Sequence, residues 1–82
     1  VNRERLRDIV LEELSAIAPD IDIATLDERA RLRDEYDLDS MDALNLLTAL
    51  HRRLKVDIPE TDYARMQSLR DLLDYLEPRA GG

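Results

Sequence analysis

Asp39-Ser40-Met41-Asp42-Ala43-Leu44-Asn45-Leu46-Leu47-Thr48-Ala49-Leu50-His51-Arg52-Arg53-Leu54-Lys55 decides the fold of this chain. The stretch contains neither Gly nor Pro, and Leu46, Leu47, Leu50 and Leu54 return at helical spacing. Asp39 with Asp42 three residues on is an acidic form of the capping box, which fixes the helix start near Ser40. The spacing therefore predicts a long helix over 40–55. Upstream, Leu6, Ile9, Val10, Leu14 and Ile17 recur every three or four residues, with Arg3, Arg7, Glu12 and Glu13 on other faces. That is an amphipathic helix which Asn2 can cap and Pro19 ends.

Between the two, from Asp20 to Asp39, periodicity fails. Ile21, Ile23, Leu26, Leu32, Tyr36 and Leu38 still recur, so this long connection is expected to pack down on the core. Thr25 with Glu28 can cap a short helical turn inside it. Downstream, Val56-Asp57-Ile58-Pro59 breaks the helix, and Glu60 to Met66 has room for a turn or two opening after Pro59. Ser68 then caps a last helix carrying Leu69, Leu72, Leu73 and Leu76, closed by Pro78. The fold class is all-α: an irregular four-helix bundle of three long helices and one short, with the long loop between the first and second. Residues 1–82 form one domain, its core about 3–78 and its tail, 79–82, loose.

Composition narrows the function. At 82 residues the domain is too small for a deep catalytic cleft. Phe and Trp are absent and the only aromatics are three tyrosines, so the core is built from Leu, Ile, Val, Ala and Met, a palette that favours helices over strands. A formal charge of −7 argues against nucleic acid and anionic lipid as ligands. With no cysteine there is no disulfide or thiolate metal site. No apolar run is long enough for a membrane span, and Asn2-Arg3-Glu4-Arg5 lacks the apolar core of a signal peptide, so a cytoplasmic monomer is expected.

The candidate site is Asp37-Leu38-Asp39-Ser40-Met41-Asp42, where loop becomes helix. A serine at a helix N-terminus sits among free backbone N–H groups and at the positive end of the helix dipole, which favours a phosphate attached there. Nothing nearby activates it. His51, the single histidine, is about three turns further along the helix, about 16 Å at a helical rise. Ser40 is better suited to be modified than to attack, and no catalytic residues and no metal ligands can be assembled. Taken alone, Asp39-Ser40 reads as an ordinary helix cap.

At these residues the sequence resembles the acyl carrier proteins, whose signature is an Asp-Ser, a large apolar residue and an acid at the start of the second helix of a small acidic bundle. Asp39, Ser40, Met41 and Asp42 occupy those positions. The resemblance runs from Leu6 to Leu76 and includes the long first loop, the Ile58-Pro59 break and Leu72-Leu73-Asp74-Tyr75-Leu76. It implies that Ser40, flanked by Asp39, receives a 4′-phosphopantetheine group from coenzyme A through a phosphopantetheinyl transferase. It also implies that the arm's thiol holds acyl or aminoacyl intermediates as thioesters, without catalysis by the chain itself.

Two departures from the family pattern bear on partners. Asp37 stands where relatives usually have Gly; Asp tolerates the left-handed backbone such a turn needs. The second helix, which in the family docks partners through a run of acids, here holds one acid, Asp42, against Arg52, Arg53 and Lys55. The docking surface implied by the resemblance is Asp39, Met41, Asp42, Leu44, Asn45 and Thr48. The cations either steer partner choice or complement the helix dipole. A dedicated acyl or aminoacyl ligase or synthase is expected, in a specialised lipid, polyketide or secondary-metabolite pathway, served by a discrete stand-alone carrier. Leu44 can contact a partner, line a cargo pocket or pack in the core; Met41 is expected beside the arm, and His51 in solvent.

The rivals are fewer. A calcium loop counted from Asp37 fails, because Met41, Asp42 and Thr48 fall at its fifth, sixth and twelfth positions. A non-catalytic acidic helical interaction module is the serious alternative, and a carrier charged by an amino-acid ligase is the other.

Overall fold

Asn2 opens the first helix as its sequence predicts, its side-chain oxygen accepting the Arg5 N–H at 2.8 Å. The structure is a computed structural model and describes residues 2–80. Helix α1 spans Arg3–Ile17 and buries Leu6, Ile9, Val10, Leu11 and Leu14. It stops at Ala18, since the residue before Pro19 is pushed out of the helical region.

The long connection does fold back onto the core, burying Leu26, Leu32 and Leu38. Its one helical turn is misplaced in the sequence reading. Thr25 and Glu28 form no cap: the Thr25 hydroxyl faces the Asp22 carbonyl at 3.5 Å, and the local turns are made by Asp22 and Asp27, which accept the Ala24 and Arg29 N–H groups at 3.0 Å each. The helix, α2, is instead Leu32–Glu35. Its N-cap, Arg31, makes no side-chain cap bond, so no local signal announces it; tertiary pairing holds it, with Leu32 N–H donating to Gln67 O and Arg70 N–H to Glu28 O, both 2.9 Å.

Helix α3 spans Ser40–Leu54 and ends on Lys55 in the left-handed conformation. His51 is not simply solvated: its Nδ1 lies 2.7 Å from Val56 O, bridging the last turn of α3 to the chain that leaves it. A 3₁₀ helix follows at Glu60–Arg65, in the place and of the length expected after Pro59. Helix α4 spans Leu69–Ala80, with Ser68 Oγ accepting the Asp71 N–H at 3.1 Å.

Pro78 does not close that last helix. It sits within the final turn, which Arg79 supports by donating to Tyr75 O at 2.7 Å and stacking its guanidinium 3.7 Å from the Tyr75 ring centre. Arg79 and Ala80 are therefore helical rather than loose, while Gly81 and Gly82 lie outside the described residues.

The long helices share one hydrophobic cluster in which α1 packs on both α3 and α4. Charge ties the same seams: Arg53 reaches Glu12 and Glu13 on α1, and Arg3 reaches Asp74 and Glu77 on α4. No helix among the described residues is long and apolar enough to cross a membrane.

Tyr75 carries more than apolar packing. Its hydroxyl donates to Asp62 Oδ2 at 2.6 Å, fastening the 3₁₀ helix to α4. That hydrogen bond, and burial after it, push the phenol above its ordinary value of 10.0. The raised value favours the neutral phenol in the folded state, so its stabilising contribution is full below about pH 10 and is lost as the pH rises through the folded value. Tyr75→Phe is expected to cost about 1 kcal/mol at neutral pH in urea unfolding, with the difference from wild type shrinking in strong alkali.

Candidate functional site

The approach to Ser40 is set by two residues. Asp37 adopts φ 54, the left-handed turn that the sequence demands of a position without glycine. Leu38, 3% exposed, then anchors the loop in the core while Asp37, Asp39 and Ser40 stay exposed. Alternation of polar and buried residues thus delivers Ser40 to the surface on a fixed base.

The capping box forms as read. Asp39 Oδ1 accepts the Asp42 N–H at 2.8 Å and Asp42 Oδ2 accepts the Asp39 N–H at 3.4 Å. Ala43 N–H donates to Asp39 O at 3.0 Å. Of the first-turn amides, those of Ser40 and Met41 have no capping partner among the described residues, which is the ordinary condition at a helix start. An anion on Ser40 Oγ would meet two free donors and the positive end of a four-turn helix. Asp39→Ala is expected to cost about 1 kcal/mol of stability in thermal or urea unfolding, through loss of the cap, while leaving Ser40 exposed.

Behind Ser40 opens a cavity of about 390 Å³. Its wall is largely apolar, from Leu32 and Leu38 of the long connection, Leu44, Leu46 and Leu47 of α3, Met66 after the 3₁₀ helix and Leu72 of α4. Tyr63 and Ala64 close it on the 3₁₀ side, and Arg31, Arg33, Asp34, Asp39 and Gln67 give it a polar edge. Ser40 and the cavity are one continuous feature.

The other expected site residues divide. Met41, 63% exposed, and Leu44, 38% exposed, are the exposed large hydrophobic residues among those described. Of the three roles open to Leu44, its exposure and its place on the cavity wall exclude plain core packing. Asn45 and Thr48 are exposed on the same side of α3, the Thr48 hydroxyl donating to Leu44 O at 2.8 Å. Asp42 is half-buried and engaged in the cap. The residues sequence reasoning missed are the cavity liners Tyr63, Met66 and Leu72. Their apolar character is visible along the chain, but a void between helices leaves no local pattern.

His51, bonded at the far end of α3, is not within reach of Ser40. Among the described residues no group of three His, Cys, Asp or Glu side chains converges as a metal site.

Comparison with known proteins agrees with this geometry. The phosphopantetheine attachment site family matches residues 4–76. The chain is 31% identical over 74 residues to the acyl carrier protein of Campylobacter hominis, covering 90% of this chain and 87% of that protein. It is 28% identical over 74 residues to the acyl carrier protein of Campylobacter concisus, covering 90% of both.

Proposed function

As the chain belongs to the acyl carrier protein family, carriers rather than catalysts whose cofactor is a covalent 4′-phosphopantetheine, we propose that Ser40 bears that arm and that its cargo is an apolar acyl chain. The arm, when attached, supplies a terminal thiol that holds the cargo as a thioester. The residues present suit it. Ser40 Oγ is exposed for a phosphopantetheinyl transferase, and the Ser40 and Met41 amides are free to donate to a phosphate. Asp39 and Asp42 hold that turn by bonding each other's backbone rather than by touching the arm.

The observation that carries the cargo class is the apolar cavity opening at Ser40. Its volume equals that of roughly a dozen waters, and each methylene moved into such a space from water gains about 0.8 kcal/mol. An aminoacyl group would bring an ammonium to the same wall and pay for its desolvation. The absence of an acidic run on α3 supports service to a dedicated synthase or ligase in a specialised lipid, polyketide or secondary-metabolite pathway; a cytoplasmic monomer is part of the same reading.

The test has two steps. Incubation with coenzyme A, magnesium and a broad-specificity phosphopantetheinyl transferase is expected to add one phosphopantetheine, seen by intact mass. The loaded protein is then given acyl chains of increasing length, and the melting temperature should rise with chain length but stay flat with aminoacyl cargo. No mass gain overturns the carrier assignment at Ser40. A gain without the length dependence overturns the cargo class alone.

A further inference from the structure

The cavity at Ser40 carries two cations on its polar edge, Arg31 and Arg33, and no other basic residue among those described lines it. Both grow from a segment that is held in place. Leu32 between them is buried, its N–H donates to Gln67 O at 2.9 Å, and its carbonyl accepts the Leu38 N–H at 3.4 Å. Leu38 lies only two residues before Ser40. Arg31 is pinned further by an isolated antiparallel bridge to Ser68. The backbone of both arginines is therefore fixed beside the chain that delivers Ser40, while their side chains stay exposed.

Neither arginine is heavily engaged elsewhere. Arg33 makes no ion pair among the described residues, and Arg31 reaches only Asp34, at 3.9 Å with both side chains well exposed. Carboxylates crowd the same end of the molecule, with Asp34, Glu35, Asp37, Asp39 and Asp42 in sequence and no basic residue among them. Asp39 and Asp42 are committed to the cap. An anion attached to Ser40 thus enters an acidic neighbourhood, where like charge disfavours it unless a cation offsets the repulsion. Arg31 and Arg33 are the cations that share a wall with Ser40.

We propose that Arg33, with Arg31 beside it, binds the phosphodiester of the arm on Ser40, as an anion site at the edge of the cavity. The inference rests on the carrier role of Ser40. A guanidinium presents a planar fork of donors that matches two phosphate oxygens, and its charge makes those bonds stronger than neutral ones. The Ser40 and Met41 amides add the donors of the helix start. A phosphate held at this edge keeps the root of the arm beside the apolar wall. In a carrier without these arginines, the same acidic surroundings would favour an arm turned out into solvent.

The test compares wild type with Arg31→Gln/Arg33→Gln, each with and without the arm and without cargo. Every sample is weighed first, so that failure of the wild type to gain the arm is seen separately and overturns the carrier reading itself. In the loaded wild type the phosphorus NMR resonance is expected to stand away from its position in the urea-unfolded protein. The double Gln variant should bring it most of the way back, as should high salt. Loading should also act more favourably on the melting temperature of the wild type than on that of the variant, by about 3 °C at low salt. Arg31→Lys/Arg33→Lys keeps the charge without the fork and should recover part of both effects. A phosphorus resonance that ignores the Gln substitutions overturns the proposal. So does an arginine dependence that appears only once an acyl group is attached, which would assign these cations to the cargo.

Discussion

Ser40→Ala is expected to melt with the wild type and to accept no phosphopantetheine at all. Ser40 is exposed, its hydroxyl makes no hydrogen bond within the described residues, and Ala at the first position of α3 is a good helix former. The capping bonds come from Asp39 and Asp42, which the substitution leaves in place. A stability change within about 0.5 kcal/mol is therefore expected. The chemical effect is complete because a phosphodiester needs an oxygen to bond, and no other hydroxyl shares this setting. Ser15 lies near the C-terminal end of α1, Thr25 and Thr61 lie outside the start of a long helix, Thr48 bonds within α3, and Ser68, 5% exposed, is occupied capping α4. Intact mass after reaction with coenzyme A and a transferase checks it; a variant that still gains the arm would place the attachment elsewhere.

Leu50→Ala carries the largest expected loss of stability. Leu50 is 0% exposed on the face of α3 turned into the cluster shared with α1 and α4. Removing a fully buried Leu side chain costs about 2–5 kcal/mol, by lost transfer energy and by the cavity left behind. A domain of this size has roughly 4–12 kcal/mol in all. A loss of about 3 kcal/mol would lower the melting temperature by on the order of 15 °C. Met41→Ala, on the same helix but 63% exposed, should change stability by less than about 0.5 kcal/mol. The contrast between the two, read by thermal unfolding, tests which face of α3 is core and which is free.

What the sequence makes legible follows the range of the interactions involved. Caps and stripes are local, so Asn2, Asp39 with Asp42, and Ser68 mark three helix starts correctly, and the leucine spacing identifies the buried faces. Asp37 was readable for the same reason: the tolerance of Asp for positive φ is a property of one residue. The errors arise where tertiary pairing overrides local preference. Helix α2 exists because Leu32 N–H bonds Gln67 O, just before α4, and Arg70 N–H of α4 bonds Glu28 O, not because Arg31 caps it. Helix α4 passes Pro78 because Arg79 supports its last turn against Tyr75.

The site divides along the same line. Ser40 and its exposure could be placed from the residues around it, but the cavity could not, since Leu32, Tyr63, Met66 and Leu72 meet only after the long connection and the 3₁₀ helix close over α3. Likewise the charge excess of Ser40 to Lys55 is visible in sequence, whereas only the fold separates Arg53, bound to α1, from Arg52 and Lys55, which make no ion pair among the described residues.

Mass spectrometry of the protein isolated from its native host tests the central claim most directly, by fragmenting the peptide that contains Ser40 before and after hydroxylamine treatment. Phosphopantetheine bonded to Ser40 is expected and, on its thiol, an apolar acyl group that hydroxylamine removes. A Ser40 peptide found wholly unmodified, or an arm on any other residue, would contradict it.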